Sequence, residues 1–304
     1  MALGLFGLLQ IMESTLTVII PAYNEEESLG SFLPKVIDHC NKNSYYLIVV
    51  NDGSKDNTRK ICTDLAEHES NFQVISHKLN RGYGGAIKTG ILYAKTKYVI
   101  TIDADGQHSL DDVDTLLSQI TAEDADMIVG SRINNKNASF YRGFGKWIIR
   151  SFAKFLIPMD IHDINSGMKI YNTKLGKKYM TVCPDGMSYS DVILLCFVKS
   201  RCLVLETPIT IKERIAGKST INTITAIETM KEILNILILF NPMRFFIPLS
   251  IIAFLVSVGW GIPIMYRGDG ISVGTMLGIT ASLIFFTIGL LAEQISQIRL
   301  NQIR

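Results

Sequence analysis

The stretch "YVITIDADGQHSLDDV", residues 98–113, decides the fold. Its run of strand-forming residues, Tyr98 to Ile102, ends abruptly in Asp103, Asp105, Gln107 and His108. A strand buried on both faces reads as a continuous apolar run, the pattern of a parallel sheet covered by helices. In open α/β sheets, ligands sit beyond the carboxyl ends of the strands. Two carboxylates separated by one residue at such an end therefore read as site residues.

The same alternation continues on either side. Apolar strand candidates lie at Leu16–Ile20, Tyr46–Val50, Phe72–Ile75, Tyr98–Ile102 and Met127–Val129, with helix-like segments at Ser28–Cys40, Asp56–Glu67, Gly85–Ala94 and Asp111–Ile120 between them. Strands alternating with helices predict right-handed βαβ units and a mostly parallel sheet. The first ~130 residues read as a Rossmann-like nucleotide-binding half.

Each strand candidate leads into polar sequence of a particular kind. The first runs into "PAYNEEESL" (21–29), the second into "NDGSKDNT" (51–58), the third approaches "NRGYGGAIKTGI" (80–91) and the fourth gives "DADGQH" (103–108). Any one has a bland reading: "NDGS" is a good turn, and the glycines around Tyr83 suit tight helix packing. Four in order on one sheet edge make a site.

Composition bounds the rest. The chain has 304 residues, 48% of them hydrophobic, with a formal net charge of +2. That charge singles out no polyanionic partner, and no nucleic-acid partner is expected. A mean hydropathy of +0.26 is high for a soluble enzyme, and the excess lies at the C-terminus. Phe245–Tyr266 and Ile271–Ala292 are uncharged stretches of 22 residues each, joined by "RGDG". About 20 apolar residues cross a bilayer core as a helix, so these predict a tight transmembrane hairpin rather than a buried soluble one. Pro248 and Pro263 are candidate kinks in the first span. Lys231 and Arg244 precede the hairpin, Arg299 and Arg304 follow it, and Asp269 offsets Arg267 in the connector. The positive-inside rule then puts both ends and the bulk of the chain in the cytoplasm of a cell-membrane or endomembrane protein. Five cysteines without a C-x-x-C pair fit reduced, buried thiols. The opening "MALGLFGLLQIM" lacks a basic n-region and a cleavage site, and is read as a membrane-surface segment or a disordered start, not a signal peptide.

The motifs "VIIPAYNEEESL", "VVNDGSKDNT", "NRGYGGAIKTG", "DADGQH", "VGSR", "DINSGMKIY", "ERIAGKST" and "GLLAEQI" occur in this order. Together they resemble the family-two glycosyltransferases of the GT-A fold, in the branch that glycosylates polyprenyl phosphates, such as dolichol-phosphate mannose synthases and undecaprenyl-phosphate glucosyltransferases. The resemblance implies a GT-A catalytic domain over residues 15–217, after an apolar segment at 1–14. A juxtamembrane amphipathic region at 218–244 and the hairpin with its tail at 245–304 follow.

By that resemblance, Pro21, Tyr23, Glu25, Asp52, Arg81, Gly82, Asp103 and Ala104 line the nucleotide-sugar site, with Asp52 hydrogen-bonding the base. Asp103, Asp105 and Gln107 hold Mg²⁺ or Mn²⁺, a hard cation suited to carboxylate and amide oxygens. The bland readings are a packed aromatic for Tyr23 and, for Glu25, an acid favoured by a helix dipole. Asp103, Asp105, Arg132 and Arg214 form the catalytic set. Arg132, Arg142, Lys146, Arg214 and Lys218 take the acceptor phosphate, and Asp185 and Asp191 in "PDGMSYSDV" are candidate sugar contacts. Arg142, Lys146 and Arg150 fall at intervals of four on one helical face, which reads equally as a solvated or lipid-facing basic surface. The chain has "GKST" where relatives have G-x-S-K, which puts the role of Lys218 in question.

No Ser-His-Asp arrangement is present, and the five histidines are scattered. A lipid monophosphate is already anionic near neutrality, its second pKa being about 6, so positioning matters more than deprotonation. Asp103 and Asp191 stay open as bases. A single in-line displacement at the anomeric carbon inverts configuration. From Ile224 to Ile238 apolar residues recur at helical spacing, which suits a helix lying on a membrane, on the sheet domain or on another subunit. The exposed hairpin also suits a homo-oligomer. A processive polysaccharide synthase would carry Q-x-x-R-W, and a haloacid-dehalogenase-like phosphatase would have Thr or Val where Gln107 stands. A non-catalytic nucleotide-fold membrane protein sits poorly with intact acidic and glycine loops.

Overall fold

The computed structural model describes residues 14–132, 161–212, 238, 240–268 and 270–301. These fall into two compact units, the first holding residues 14–132 and 161–212, the second the C-terminal helices. The N-terminal apolar segment, the basic stretch around Arg142 and Lys146, and the amphipathic stretch with Arg214 and Lys218 lie outside the described residues.

The first unit is built on β1 (Leu16–Ala22), α1 (Glu26–Asn43), β2 (Tyr46–Asn51), α2 (Thr58–Ala66), β3 (Phe72–Ser76), α3 (Tyr83–Tyr93), β4 (Tyr98–Thr101), α4 (Leu110–Ala122) and β5 (Met127–Ser131). It continues with β6 (Lys169–Asn172), α5 (Thr173–Tyr179), a 3₁₀ turn at Met180–Val182, α6 (Tyr189–Lys199) and β7 (Val204–Pro208). The strands form one sheet in the order β3-β2-β1-β4-β6-β5-β7. All pairings are parallel except those of β6, which runs antiparallel to both β4 and β5.

Every strand and helix expected over residues 16–129 is present. Strands β6 and β7 are additions, and the antiparallel insertion of β6 is what makes the sheet mixed. The central strands bury every residue of "LTVII" and "LIVV" because helices cover both faces. On one face Leu16, Val18 and Ile20 join a core with Leu29, Phe32, Leu33 and Val36 of α1 and Val113, Leu116 and Ile120 of α4, each set at helical spacing. Each such fully buried Leu or Phe contributes roughly 1.5–3 kcal/mol. On the other face α3 comes so close that a Cβ on Gly90 would lie 2.5 Å from Ile19 Cγ2.

All five cysteines are free thiols, and four are buried. Burial, assisted by nearby acidic charge, pushes the Cys40 and Cys62 thiols up to about 12.

The second unit is a helical hairpin of α7 (Met243–Tyr266) and α8 (Val273–Asn301). Helix α7 runs through both Pro248 and Pro263. Both helices are long and apolar enough to cross a membrane, and little of either is buried. Ile252, Leu255, Trp260, Leu277, Leu283 and Leu291 are all exposed, the reverse of a soluble core. The helices meet through small residues: a Cβ on Gly261 would collide with Thr275, and one on Gly278 with Ser257. Ser250 Oγ donates to the Ser282 carbonyl at 3.0 Å. Small residues and such hydrogen bonds are the means by which helices associate where no hydrophobic drive separates protein from lipid.

Candidate active site

The polar loops after β1, β2, β3 and β4 lie on one sheet edge and are joined by hydrogen bonds. Asn24 and Glu26 after β1 engage the loop after β2: Asn24 N–H donates to Ser54 Oγ at 3.0 Å, Lys55 N–H to Asn24 Oδ1 at 2.8 Å and Glu26 N–H to Asp56 Oδ2 at 3.1 Å. Pro21 is the penultimate residue of β1, Tyr23 is exposed just beyond the strand, and Glu25 caps α1 by position, its carboxylate accepting from Ser28 Oγ at 3.0 Å.

Asp52 follows β2 and is buried. Its carboxylate accepts from the N–H groups of Arg81 at 2.9 Å and Gly82 at 2.8 Å, and lies 2.6 Å from His77 Nδ1. Asp52 thus holds the glycine-rich loop in place. Nothing in the sequence marks His77; the pairing does, since Asn51 and Ser76 are in register and the residues that follow each are neighbours.

The glycine-rich loop opens α3. Gly82 has a φ of 89° and a Cβ there would lie 2.6 Å from the Asp185 carbonyl oxygen, so no side chain fits. The close backbone neighbour at these glycines is the 184–186 segment. Gly84 N–H donates to the Gly186 carbonyl at 3.2 Å and Gly85 N–H to that of Asp185 at 3.0 Å. Lys88 Nζ donates to the Cys183 carbonyl and, at 2.7 Å, to the exposed Asp185 carboxylate.

The acidic pair lies at the centre of the edge. Tyr83 Oη donates to Asp103 Oδ1 at 3.2 Å. Burial, together with the Asp103 charge, keeps that phenol protonated well above its ordinary range. Gly167 backs the same carboxylate, since a Cβ there would lie 2.6 Å from Asp103 Oδ2. Asp103 N–H donates to His108 Nδ1 at 3.2 Å. Asp105 is buried beside the buried Ala104 and accepts from Gln107 N–H at 3.1 Å. Gln107 also pairs with the segment after β7: its carbonyl accepts from Lys212 N–H at 2.8 Å and its side-chain amide donates to the Lys212 carbonyl at 3.4 Å. The sequence thus places Asp103, Asp105 and Gln107 along one loop, and the structure adds Tyr83 and Gly167 as its supports.

Among the described residues, no three acidic, His or Cys side chains already converge as a metal cage. The donor set nevertheless fits a hard divalent cation, which typically takes one or two carboxylates and completes its shell with water and substrate phosphate.

Beyond β4 the site is held by ion pairs. Arg132, just after β5, donates from Nε to Asp163 Oδ2 at 2.7 Å and from Nη2 to Asp163 Oδ1 at 2.8 Å. This bidentate fork joins "VGSR" to "DINSG", two motifs that are separate in sequence. The hydrogen bonds it donates to Asp163 raise the Arg132 guanidinium further. Burial alone would raise the Asp163 carboxyl, but the Arg132 fork outweighs it and holds the group below its usual range.

Glu206 of β7 accepts the N–H groups of His162 at 2.9 Å and Asp163 at 2.8 Å. Burial opposes ionisation of Glu206, and these donors more than offset it, so its carboxyl is also held low. Lys169 of β6 is buried, and burial draws its ammonium down to about 8 against the opposing charges of Asp191 and Asp163. Asp191 itself lies in the first turn of α6.

A mixed sheet with an acidic loop beyond its central strand and interlocked polar loops on the same edge is the architecture of an α/β domain of the GT-A class. Comparison with known proteins agrees. Residues 17–181, more than half of the chain, match the model "Glycosyl transferase family 2", and residues 241–298 match the "GtrB C-terminal hairpin". The chain belongs to glycosyl transferase family 2.

Among its relatives, a dolichyl-phosphate beta-glucosyltransferase of Dictyostelium discoideum is 34% identical over 54% of this chain and 55% of its own. The aligned part thus spans just over half of that relative. An undecaprenyl-phosphate 4-deoxy-4-formamido-L-arabinose transferase of Proteus mirabilis is 30% identical over 80% of this chain and 72% of its own. The fold is shared with a glucosyl-3-phosphoglycerate synthase from Mycobacterium tuberculosis solved with Mn²⁺, uridine diphosphate and phosphoglyceric acid (TM-score 0.57, 17% identity, 77% of this chain and 82% of that one).

Proposed function

We propose that this protein transfers one sugar from a UDP- or GDP-sugar to a polyprenyl phosphate, undecaprenyl or dolichyl, with inversion at the anomeric carbon. The observation that carries the reading is the Asp103–Asp105 pair beyond β4, supported by Tyr83 and Gly167, on a family 2 chain that ends in an apolar hairpin. The relatives named for transfer to dolichyl and undecaprenyl phosphates support the acceptor class.

Asp103, Asp105 and the Gln107 amide would hold Mg²⁺ or Mn²⁺, which supplies Lewis-acid stabilisation of the departing diphosphate. The chain's own groups do the rest. Tyr83 holds Asp103 in one rotamer, and Asp52 fixes the glycine-rich loop around the nucleotide. Pro21, Tyr23, Glu25, Arg81, Gly82 and Ala104 border that space. Arg132, oriented by Asp163, presents a cation to the acceptor phosphate, and Arg142, Lys146, Arg214 and Lys218 are its proposed companions. Asp185 and Asp191 are proposed to contact the sugar. Because the acceptor phosphate is already anionic, orientation and charge suffice for attack without a dedicated base. The hairpin anchors the protein with the catalytic unit and both termini on the cytoplasmic side, and its small-residue seam leaves an apolar exterior for lipid or a second copy.

The test is transfer from a panel of radiolabelled UDP- and GDP-sugars to undecaprenyl and dolichyl phosphate, with Mg²⁺, Mn²⁺ or chelator. Metal-dependent formation of an alkali-stable lipid-phosphate sugar names the donor. Nucleotide binding without donor consumption under any metal sinks the proposal.

A further inference from the structure

Lys169 is 1% exposed, less than any other charged side chain among the described residues. An ammonium survives such burial only when its hydrogen bonds and its charge are both answered. Its Nζ donates to the carbonyls of Ile164, at 3.0 Å, and Ser166, and to the hydroxyl of Ser190. Ser190 Oγ in turn donates to the Ser166 carbonyl at 2.6 Å. Two of the three acceptors belong to the 164–166 turn and the third to the first turn of α6.

That turn carries a site residue at each end. Asp163, before it, holds Arg132 by the bidentate fork. Gly167, after it, lies against the Asp103 carboxylate. The charge of Lys169 is felt by Asp191, Asp163 and Asp103, with Arg132 opposing. One buried cation therefore underlies both Asp103 and Arg132.

We infer that Lys169 is a positioning residue: its ammonium clamps the 164–166 turn to α6 and so sets the separation between Arg132 and Asp103, the proposed acceptor and donor ends of the reaction. The inference rests on the function proposed above, and it adds a residue that touches neither substrate. Removing the ammonium leaves the Ile164 and Ser166 carbonyls without this donor and so costs stability. The role separates from folding through nucleotide affinity and amide exchange, which report the rest of the sheet unit independently.

The experiment uses the full chain in detergent with Lys169→Met, which keeps the length of the side chain and removes its charge and donors. Steady-state transfer, uridine or guanosine diphosphate affinity, the thermal midpoint and amide exchange over residues 161–168 are compared with wild type. The expected result is a fall in kcat of about 100-fold, the size of effect that small misplacement produces, with KM for donor and nucleotide affinity held within about threefold. The thermal midpoint falls because the turn's acceptors lose their donor, and exchange over 161–168 speeds up while that of β1 and β2 does not. An unchanged kcat overturns the inference. So does a loss of kcat matched by equal loss of nucleotide affinity and by faster exchange across β1 and β2, which marks Lys169 as a general determinant of folding. If wild type itself transfers no sugar, the proposed function fails and amide exchange decides the clamp: faster exchange confined to 161–168 supports it, and unchanged exchange overturns it.

Discussion

On the β1–β3 side of the sheet, carboxylates are held by backbone N–H groups and a ring nitrogen, as Asp52 is by Arg81, Gly82 and His77. On the β5–β7 side, the Arg132–Asp163 fork and the buried Lys169 ammonium bring cations into the framework, with Glu206 bracing Asp163. The first arrangement follows from strand ends in register, so the pairing of the sheet maintains it. The second works through charge, as in the Arg132–Asp163 fork, and it answers to pH and to single substitutions that leave the fold intact.

The largest expected effect tests whether the acidic loop between these halves is the reaction centre. Asp105→Asn keeps the shape and removes one charge, and kcat/KM should fall by about 10²- to 10³-fold while nucleoside binding, read by calorimetry without metal, persists. Retained activity would move the centre elsewhere.

Next, the sheet unit is set against the hairpin. Leu33, fully buried, should cost about 2–5 kcal/mol when changed to Ala. Leu255, which is 61% exposed, should cost under about 0.5 kcal/mol in the unfolding of detergent-solubilised protein. Equal losses would show that Leu255 is covered by another surface.

Asp163→Asn should raise KM for the polyprenyl phosphate by about tenfold, roughly 1.4 kcal/mol, and leave nucleotide affinity unchanged. If donor and acceptor constants shift together, the two sides are not separate functional halves.

The smallest effect is on acid stability. The folded carboxyls of Asp163 and Glu206 lie below their ordinary values of 3.8 and 4.5. The unfolded chain therefore binds more protons as pH falls past those values. The stability they contribute is complete above that range and lost as pH drops through it. Glu206→Gln should make the decline in stability as pH falls through the carboxylate range shallower than in wild type. Parallel acid denaturation curves would show that other carboxylates dominate.

The same division explains what could be read in advance. Strands β1, β2 and β4 announce themselves because burial on both faces makes them largely apolar, and their polar exits mark the loops. Strand β6 escapes because its four residues begin with a lysine, and a lysine reads as exposed unless its acceptors are known. Those acceptors, Ile164, Ser166 and Ser190, come together only through the antiparallel insertion of β6. Glu206 escapes for a similar reason: backbone N–H groups carry no sequence signature. The glycines after Arg81 were legible as a close approach, but their protein neighbour, the 184–186 segment, was not, since it lies about a hundred positions away.

That close approach bears on charge balance. The first turn of a helix normally offers unpaired N–H groups and a partial positive charge to an anion. At α3, the N–H groups of Gly84 and Gly85 already bond to the carbonyls of Gly186 and Asp185. A diphosphate arriving at this edge meets a helix end already engaged by protein, with the Asp103 and Asp105 carboxylates alongside. Much of its neutralising charge then has to be imported with it, so nucleotide and cation are expected to bind as a pair, each weak without the other.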